Sequence, residues 1–354
     1  MARRSSNTPT IRDVAERAAV SIGTVSRVLN DFRDVAAPLR HRVEEAIRDL
    51  GYRAALRQES GRDHGRTIGF LLCNGTGINT VHAHLLVGIE EYCSSQGYYT
   101  IFTRHMHSTE TDAERLEIPE ILNSRQLADC TIVAGTAHEN FLSALDARKA
   151  RYVLLANHAA TAAAAEKALN RVRYDDFRGF EEAASYLAQL GHRNIWYIGD
   201  AARPWFRSRH EGYLSGMRLH GLEPRAHTFA IADDPFENGR AIVSYLLEQK
   251  SPMSALLCGS EELALGAREA LRQHGRDVPR HASVVGFQHQ IGHVRASTLT
   301  AVCVDTVEVG RQLARMAIAL AESGGLEQSE VLVPSALVKR STCRPLRSDD
   351  TMVL

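Results

Sequence analysis

The chain of 354 residues reads as an N-terminal all-α helix-turn-helix head followed by an α/β body of two parallel, helix-covered sheets. Three observations predict this. Two short stretches of helical periodicity near the N-terminus are separated by only two residues, and from Thr67 onward apolar strand-like runs alternate with amphipathic stretches. The length also exceeds what one hydrophobic core comfortably serves, so two or three domains are expected.

The first helical stretch is Thr10-Ile11-Arg12-Asp13-Val14-Ala15-Glu16-Arg17-Ala18, where Thr10 with Asp13 three positions later makes a capping-box-like start. Ala19-Val20 leaves room only for a tight turn. The second is Ser21-Ile22-Gly23-Thr24-Val25-Ser26-Arg27-Val28-Leu29-Asn30. Two helices so joined form a helix-turn-helix, in which the first crosses the DNA backbone and the second enters the major groove. On that reading the hydroxyls of Ser21, Thr24 and Ser26 donate to phosphates, while Ile22, Gly23 and Arg27 meet base edges, Arg27 most plainly a guanine. Thr10, Asn30, Tyr52 and Leu56 complete the candidate DNA-binding set.

The run Thr10-Ile11-Arg12-Asp13-Val14-Ala15, followed by Val20-Ser21-x-x-Thr24-Val25-Ser26-Arg27-Val28-Leu29-Asn30, resembles the N-terminal signature of the LacI/GalR family of bacterial transcription regulators. Pro38 marks the first turn of a third helix running to about Leu50, which Gly51 ends. In that family a hinge follows, of pattern Gly-Tyr-x-Pro-Asn-x-x-Ala-Arg-x-Leu, whose Leu wedges into the minor groove. Here Ala54 and Ala55 replace Pro-Asn, and the Leu register falls on Gly61. Leu56 is the one bulky apolar side chain from Ala54 to Gly65, so either it replaces the wedge or the operator is bent less. The resemblance places the head at 1–57 and the hinge at 58–65.

Beyond the hinge, strands are expected at Thr67–Leu72, Gly97–Phe102, Cys130–Ala134, Tyr152–Ala156, Ile195–Ile198, Ala255–Cys258 and Ser283–Phe287. Helices are expected at His84–Ser94, Ala113–Asn123, Gly179–Leu190, Arg209–His220 and Glu262–Gln273. Ligands of such sheets bind at the strand carboxyl ends. Val172-x-x-Asp175 with Gly179, Leu190-Gly191-His192-Arg193-x-Ile195, Glu262-Leu263-Ala264-Leu265-Gly266 and Leu332-Val333-Pro334 resemble the same family's regulatory domain, itself similar to periplasmic sugar-binding proteins. The resemblance implies a two-lobed effector and dimerisation domain over 66–345 and a tail at 346–354. It puts the N-lobe at about 66–165 and 298–325, and the C-lobe at about 166–297 and 326–345. Crossings between lobes are then expected near 160–170, 290–300 and 320–332.

Net charge is zero, yet residues 1–60 hold 11 Arg and no Lys against 8 acids, a net of +3. A basic head on an acidic body suits a DNA-contacting module joined to a domain that need not touch DNA. The cysteines, Cys73, Cys93, Cys130, Cys258, Cys303 and Cys343, are scattered without a Cys-x-x-Cys pair, which argues against a disulfide framework or zinc. No apolar run approaches the ~20 residues of a membrane span, and the polar N-terminus is not a secretory signal. A cytoplasmic protein without membrane contact is expected.

Family effector contacts carry over position by position. His82 stands where an aromatic lining residue is usual, and His158 follows Asn157 where an Asp-aromatic or Asp-Arg pair is usual. Arg209 in Arg209-x-x-Gly212-Tyr213 matches the arginine that holds the effector, with Arg203 and Trp205 just before it. Asp234, Glu261 and Gln288 complete the set, Gln288 replacing an acid that accepts hydroxyl hydrogen bonds. An arginine fork and an indole face suit a small polar, carbohydrate-like metabolite. His82-x-His84 and His105-x-His107 do not suggest a metal, since positions two apart on a helix diverge and no carboxylates cluster with them. No cofactor is called for. The reading is a non-enzymatic repressor that binds pseudo-palindromic double-stranded operator DNA as a homodimer. The alternatives are an effector-independent regulator, suggested by Ser260, Glu261 and Gln288, or a solute-binding protein, which the helix-turn-helix opposes. A metal-assisted hydrolase lacks a nucleophile-base motif.

Overall fold

Val14, Ala15 and Ala18 on one short helix meet Val25 and Val28 on the next, and Val43 and Ala46 on a third close the small core between them. The three helices are α1 (Ile11–Arg17), α2 (Ile22–Leu29) and α3 (Ala37–Leu50). The turn after α1 is tight because Ala19 takes a left-handed φ of 51°. Arg42 of α3 secures that turn by donating to the carbonyls of Ala18 and Ala19 at 2.6 and 2.8 Å.

The computed structural model describes residues 11–29, 36–50, 66–75, 77–124, 127–200, 203–232, 234–289, 297–323 and 328–346. The chain divides into two units, 1–65 and 66–354.

In the second unit the elements run β1 (Thr67–Cys73), α4 (Thr80–Ser95), β2 (Tyr99–His105), α5 (Glu120–Asn123), β3 (Cys130–Gly135), α6 (Glu139–Ala147), β4 (Tyr152–Leu155), α7 (Ala162–Lys167) and β5 (Asn170–Tyr174). A 3-10 turn at Ala156–His158 follows β4. Then come α8 (Asp176–Gln189), β6 (Ile195–Ile198), α9 (Trp205–Leu219), β7 (Arg225–His227), α10 (Pro235–Glu248), β8 (Ala255–Cys258), α11 (Glu261–Gln273) and β9 (Ser283–Gln288). The chain closes with β10 (Thr300–Val304), α12 (Thr306–Ser323), β11 (Ser329–Val333) and β12 (Ser335–Val338).

Two six-stranded sheets result, ordered β11-β5-β4-β3-β1-β2 in the N-lobe and β12-β10-β9-β8-β6-β7 in the C-lobe. Central strands such as β1, β3 and β9 are buried along their whole length, as continuous apolar runs between helix layers should be. Edge strand β2 alternates toward solvent instead.

The structure corrects three sequence expectations. The lobes exchange later than the resemblance implied, because β5 pairs with β4 and β11 in the N-lobe while β10 pairs with β9 in the C-lobe. The N-lobe therefore holds residues 66–174 and 306–333, and the crossings fall at Asp175, Asp305 and Pro334. Pro334, lacking an N–H, separates β11 in one sheet from β12 in the other. The helix expected at Ala113–Asn123 shrinks to Glu120–Asn123, since a residue preceding proline, here Ile118 before Pro119, is driven out of the α region. The C-lobe sheet is also not wholly parallel, for β12 runs antiparallel to β10.

Candidate functional site: a groove-reading helix and an interlobe cleft

Helix α2 turns Val25 and Val28 into the head core and leaves Ser21, Ile22 and Gly23 exposed, Ile22 by 46%. An apolar side chain so placed on a three-helix head is the pattern of a groove-reading surface. Ser21 has a second task that its reading as a phosphate donor omits. Its Oγ accepts from the Thr24 N–H at 3.1 Å and lies 2.9 Å from Thr24 Oγ1, so it caps α2. The side chains of Ser26 and Arg27 lie outside the described residues, as do Thr10, Asn30, Tyr52, Leu56 and the hinge.

Within the second unit a cleft of about 930 Å³ opens where the two lobes meet. It receives Asn74, Asn79, His82, His138 and His158 from the N-lobe, and Arg203, Trp205, Arg209, Glu261, Gln288 and His289 from the C-lobe. Every sequence candidate lines it except Asp234. That residue is spent elsewhere: its Oδ1 accepts the Glu237 N–H at 2.9 Å as the N-cap of α10.

Arg209 is the centre of the site. It is 1% exposed, its guanidinium lies 3.6 Å from the centroid of the Phe287 ring, and Nη1 donates to the Gly259 carbonyl. Its Nε lies 3.3 Å from Asp176 Oδ2. The sequence reading missed Asp176, although the adjacent acids Asp175 and Asp176 carried a signal. Asp175 caps α8 by accepting from the Arg178 N–H, which leaves its neighbour for the arginine. Burial raises the Asp176 carboxyl to about 6 even though Arg209 opposes the shift, and its Oδ1 has no hydrogen-bond partner.

Around the arginine stand imidazoles. His158 packs 5.6 Å from Trp205 and 6.1 Å from His82, its Nε2 is 3.4 Å from the Tyr174 hydroxyl, and its Nδ1 is buried without a partner. Burial, then the charges of His82 and Arg209, push it down to about 3. His82 closes a capping box with Asn79 at the start of α4, and burial lowers it as well. His289, absent from the sequence candidates, is held neutral first by burial and then by Arg209 and the other imidazoles.

Gln288 is fully engaged inside the protein. Its Nε2 donates to Glu261 at 2.6 Å and to Ser297 at 3.2 Å, while Oε1 accepts from Arg340 at 3.0 Å. Arg203 pairs with Asp200 and lies 5.8 Å over the Trp205 ring. The His105 and His107 rings stack beside Phe141, and among the described residues no three metal-binding side chains converge.

A helix-turn-helix head followed by a two-lobed α/β body with a polar cleft at its strand ends defines a class of DNA-binding transcription regulators. Residues 10–54 match the model of bacterial regulatory proteins of the lacI family, and residues 184–343 match the periplasmic binding protein-like domain. The chain thus carries a head similar to those of lacI-family regulators and a body similar to periplasmic binding proteins. It is 26% identical over 351 residues to the HTH-type transcriptional repressor CytR of Escherichia coli (strain K12), covering 98% of this chain and 99% of that protein. The lac repressor dimer bound to operator and the anti-inducer ONPF has the same fold, with a TM-score of 0.64, 20% identity, and coverage of 96% of this chain and 100% of that one. A CelR–cellobiose complex matches with a TM-score of 0.63 and 23% identity over 94% of this chain and 99% of that one. Among the described residues no helix is long and apolar enough to cross a membrane.

Proposed function

We propose that this chain is a cytoplasmic repressor that binds a near-palindromic operator as a homodimer, with its operator affinity set by a small polar metabolite held between the lobes. The carrying observation is that Arg209, Trp205 and Gln288 of one lobe and His82 and His158 of the other face a single cleft, so a ligand touching both sets favours one lobe arrangement. The repressor named CytR and the cellobiose-bound CelR support the reading by likeness. Dimerisation is supported by apolar residues left in solvent on edge strand β2, where Tyr99 is 71% exposed and Ile101 41%, and on the C-lobe at Phe229, Tyr245 and Leu265.

The test is selection of genomic fragments by the purified protein, then operator titration with and without candidate metabolites. A recurrent two-fold-related sequence, whose occupancy some metabolite changes, is the expected result; capture of DNA without sequence preference rejects the reading. An effector-independent repressor is the second reading, favoured by the complete engagement of Gln288 within the protein. A thermal-shift screen in which no metabolite stabilises the body supports that reading.

A further inference from the structure

The floor of the cleft carries an imbalance that a neutral ligand does not use. Arg209 is fully buried there, and His158, also buried, presents Nδ1 to no protein partner. His82 and Arg209 both disfavour charge on His158, and Arg209, His158 and His82 disfavour it on His289. Helices α4 and α11 also begin at the cleft, through Asn79, Thr80 and Val81 on one side and Ser260 and Glu261 on the other, so backbone N–H ends face it from both lobes. The lining acids are engaged or peripheral: Asp200 pairs with Arg203, Glu261 accepts from Gln288, and Glu262 is exposed. The Gln288 carbonyl oxygen already accepts from Arg340, and the residue is buried. The floor therefore offers donors and few acceptors.

We infer that the effector bears an oxyanion, carboxylate or phosphate, seated against Arg209 and His158, and that it enters together with a proton taken up by the imidazole cluster. The proposal rests on the reading of this cleft as the effector site. The groups around His158 are His82 from α4, Tyr174 from β5, Arg209 with Asp176, and His289 beyond β9, which His84 of α4 also faces. In the empty cleft burial first, and then His82 and Arg209, oppose a charge on His158. An anion seated against the ring pairs with the charged imidazole and offsets these costs, so the bound state holds a proton that the free state does not. Affinity then rises as pH falls through the value the histidine takes in the complex, by about tenfold for each pH unit while one proton is linked.

The test compares ribonate, ribose 5-phosphate and ribose, with inorganic sulfate as a bare oxyanion, on the full-length protein. Ribonate and sulfate keep constant charge between pH 6 and 8, so any pH dependence of their binding belongs to the protein. Expected are thermal stabilisation by the anions and not by ribose, and ribonate or sulfate binding about tenfold tighter at pH 6 than at pH 8. Calorimetry in two buffers of different ionisation enthalpy should register net proton uptake. His158→Gln should flatten the pH profile and lower the proton uptake. Equal binding of ribose, pH-independent anion binding, or no response to any of the four overturns the inference. Operator binding measured on the same preparation keeps the two readings apart, because a protein that selects an operator yet ignores these anions fails only this one.

Discussion

Arg209 has a structural duty besides facing the cleft, and this decides what its removal does. With the guanidinium gone, the Asp176 carboxylate is left in a site from which solvent is excluded, next to an Oδ1 that already lacks a partner. Breaking a buried pair by deleting one member costs about 3 to 5 kcal/mol. Arg209→Ala should therefore lower the melting temperature of the body as well as abolish the metabolite response. Adding Asp176→Asn should recover much of the stability and none of the response, a difference that calorimetry and operator titration resolve. If Arg209→Ala melts like the parent, the pair does not hold the C-lobe as described.

Helix pairs in both lobes meet backbone to backbone, through glycines. A Cβ on Gly88 of α4 would stand 1.9 Å from the Val307 carbonyl oxygen of α12, and one on Gly310 of α12 would stand 2.3 Å from the Leu85 carbonyl oxygen. Gly239 and Gly266 repeat the arrangement between α10 and α11. No side chain can swing away from such a clash, because the obstacle is main chain. Gly88→Ala should destabilise the N-lobe by about 1 to 3 kcal/mol or more, as overpacking does, and denaturant unfolding measures it. A neutral effect would mean that α4 and α12 separate freely. The same packing holds α12 in the N-lobe, where the resemblance put residues 298–325. Its Gly310 face lies against the main chain of α4 at Leu85 and Ile89.

For the molecule as a whole, two outcomes follow from exposure and charge. Tyr99→Glu places a charge on the apolar edge strand β2, so sedimentation at micromolar concentration should show more monomer and operator affinity should fall with it. An unchanged dimer moves the interface to another face. Acid should also weaken the body. His107 is pulled down to about 4 and His158 to about 3, mainly by burial, so both stay neutral when folded and become charged when unfolded below pH 6.5. Each then removes about 2 kcal/mol between pH 7.5 and pH 5. Asp176 acts with the opposite sign, because a carboxyl raised to about 6 takes up its proton in the folded state first and returns about 1 kcal/mol over the same interval. The net expectation is a lower melting temperature at pH 5 than at pH 7.5; equal stability would show these histidines to be solvated.

The sequence by itself determined what is local. The spacing of Val14, Ala18, Val25 and Val28 dictates two helices around one small core, the runs at Thr67, Cys130, Ala255 and Ser283 dictate buried strands, and the Arg209 motif points to a side chain that lines the interlobe cleft. These depend on periodicities of 2 and 3.6 residues, which neighbours in the chain suffice to express. Only the tertiary structure decided which sheet β5, β10 and β11 join, because that choice rests on hydrogen bonds to strands far away in sequence. It also decided the fates of single residues. Asp234 and Ser21 serve helix caps, Gln288 is consumed by Arg340 and Glu261, Asp176 pairs with Arg209 behind the cleft, and His289 lines the cleft unannounced. A polar side chain has a fixed inventory of donors and acceptors, and which of them remain for a ligand is known only once every neighbour has been placed.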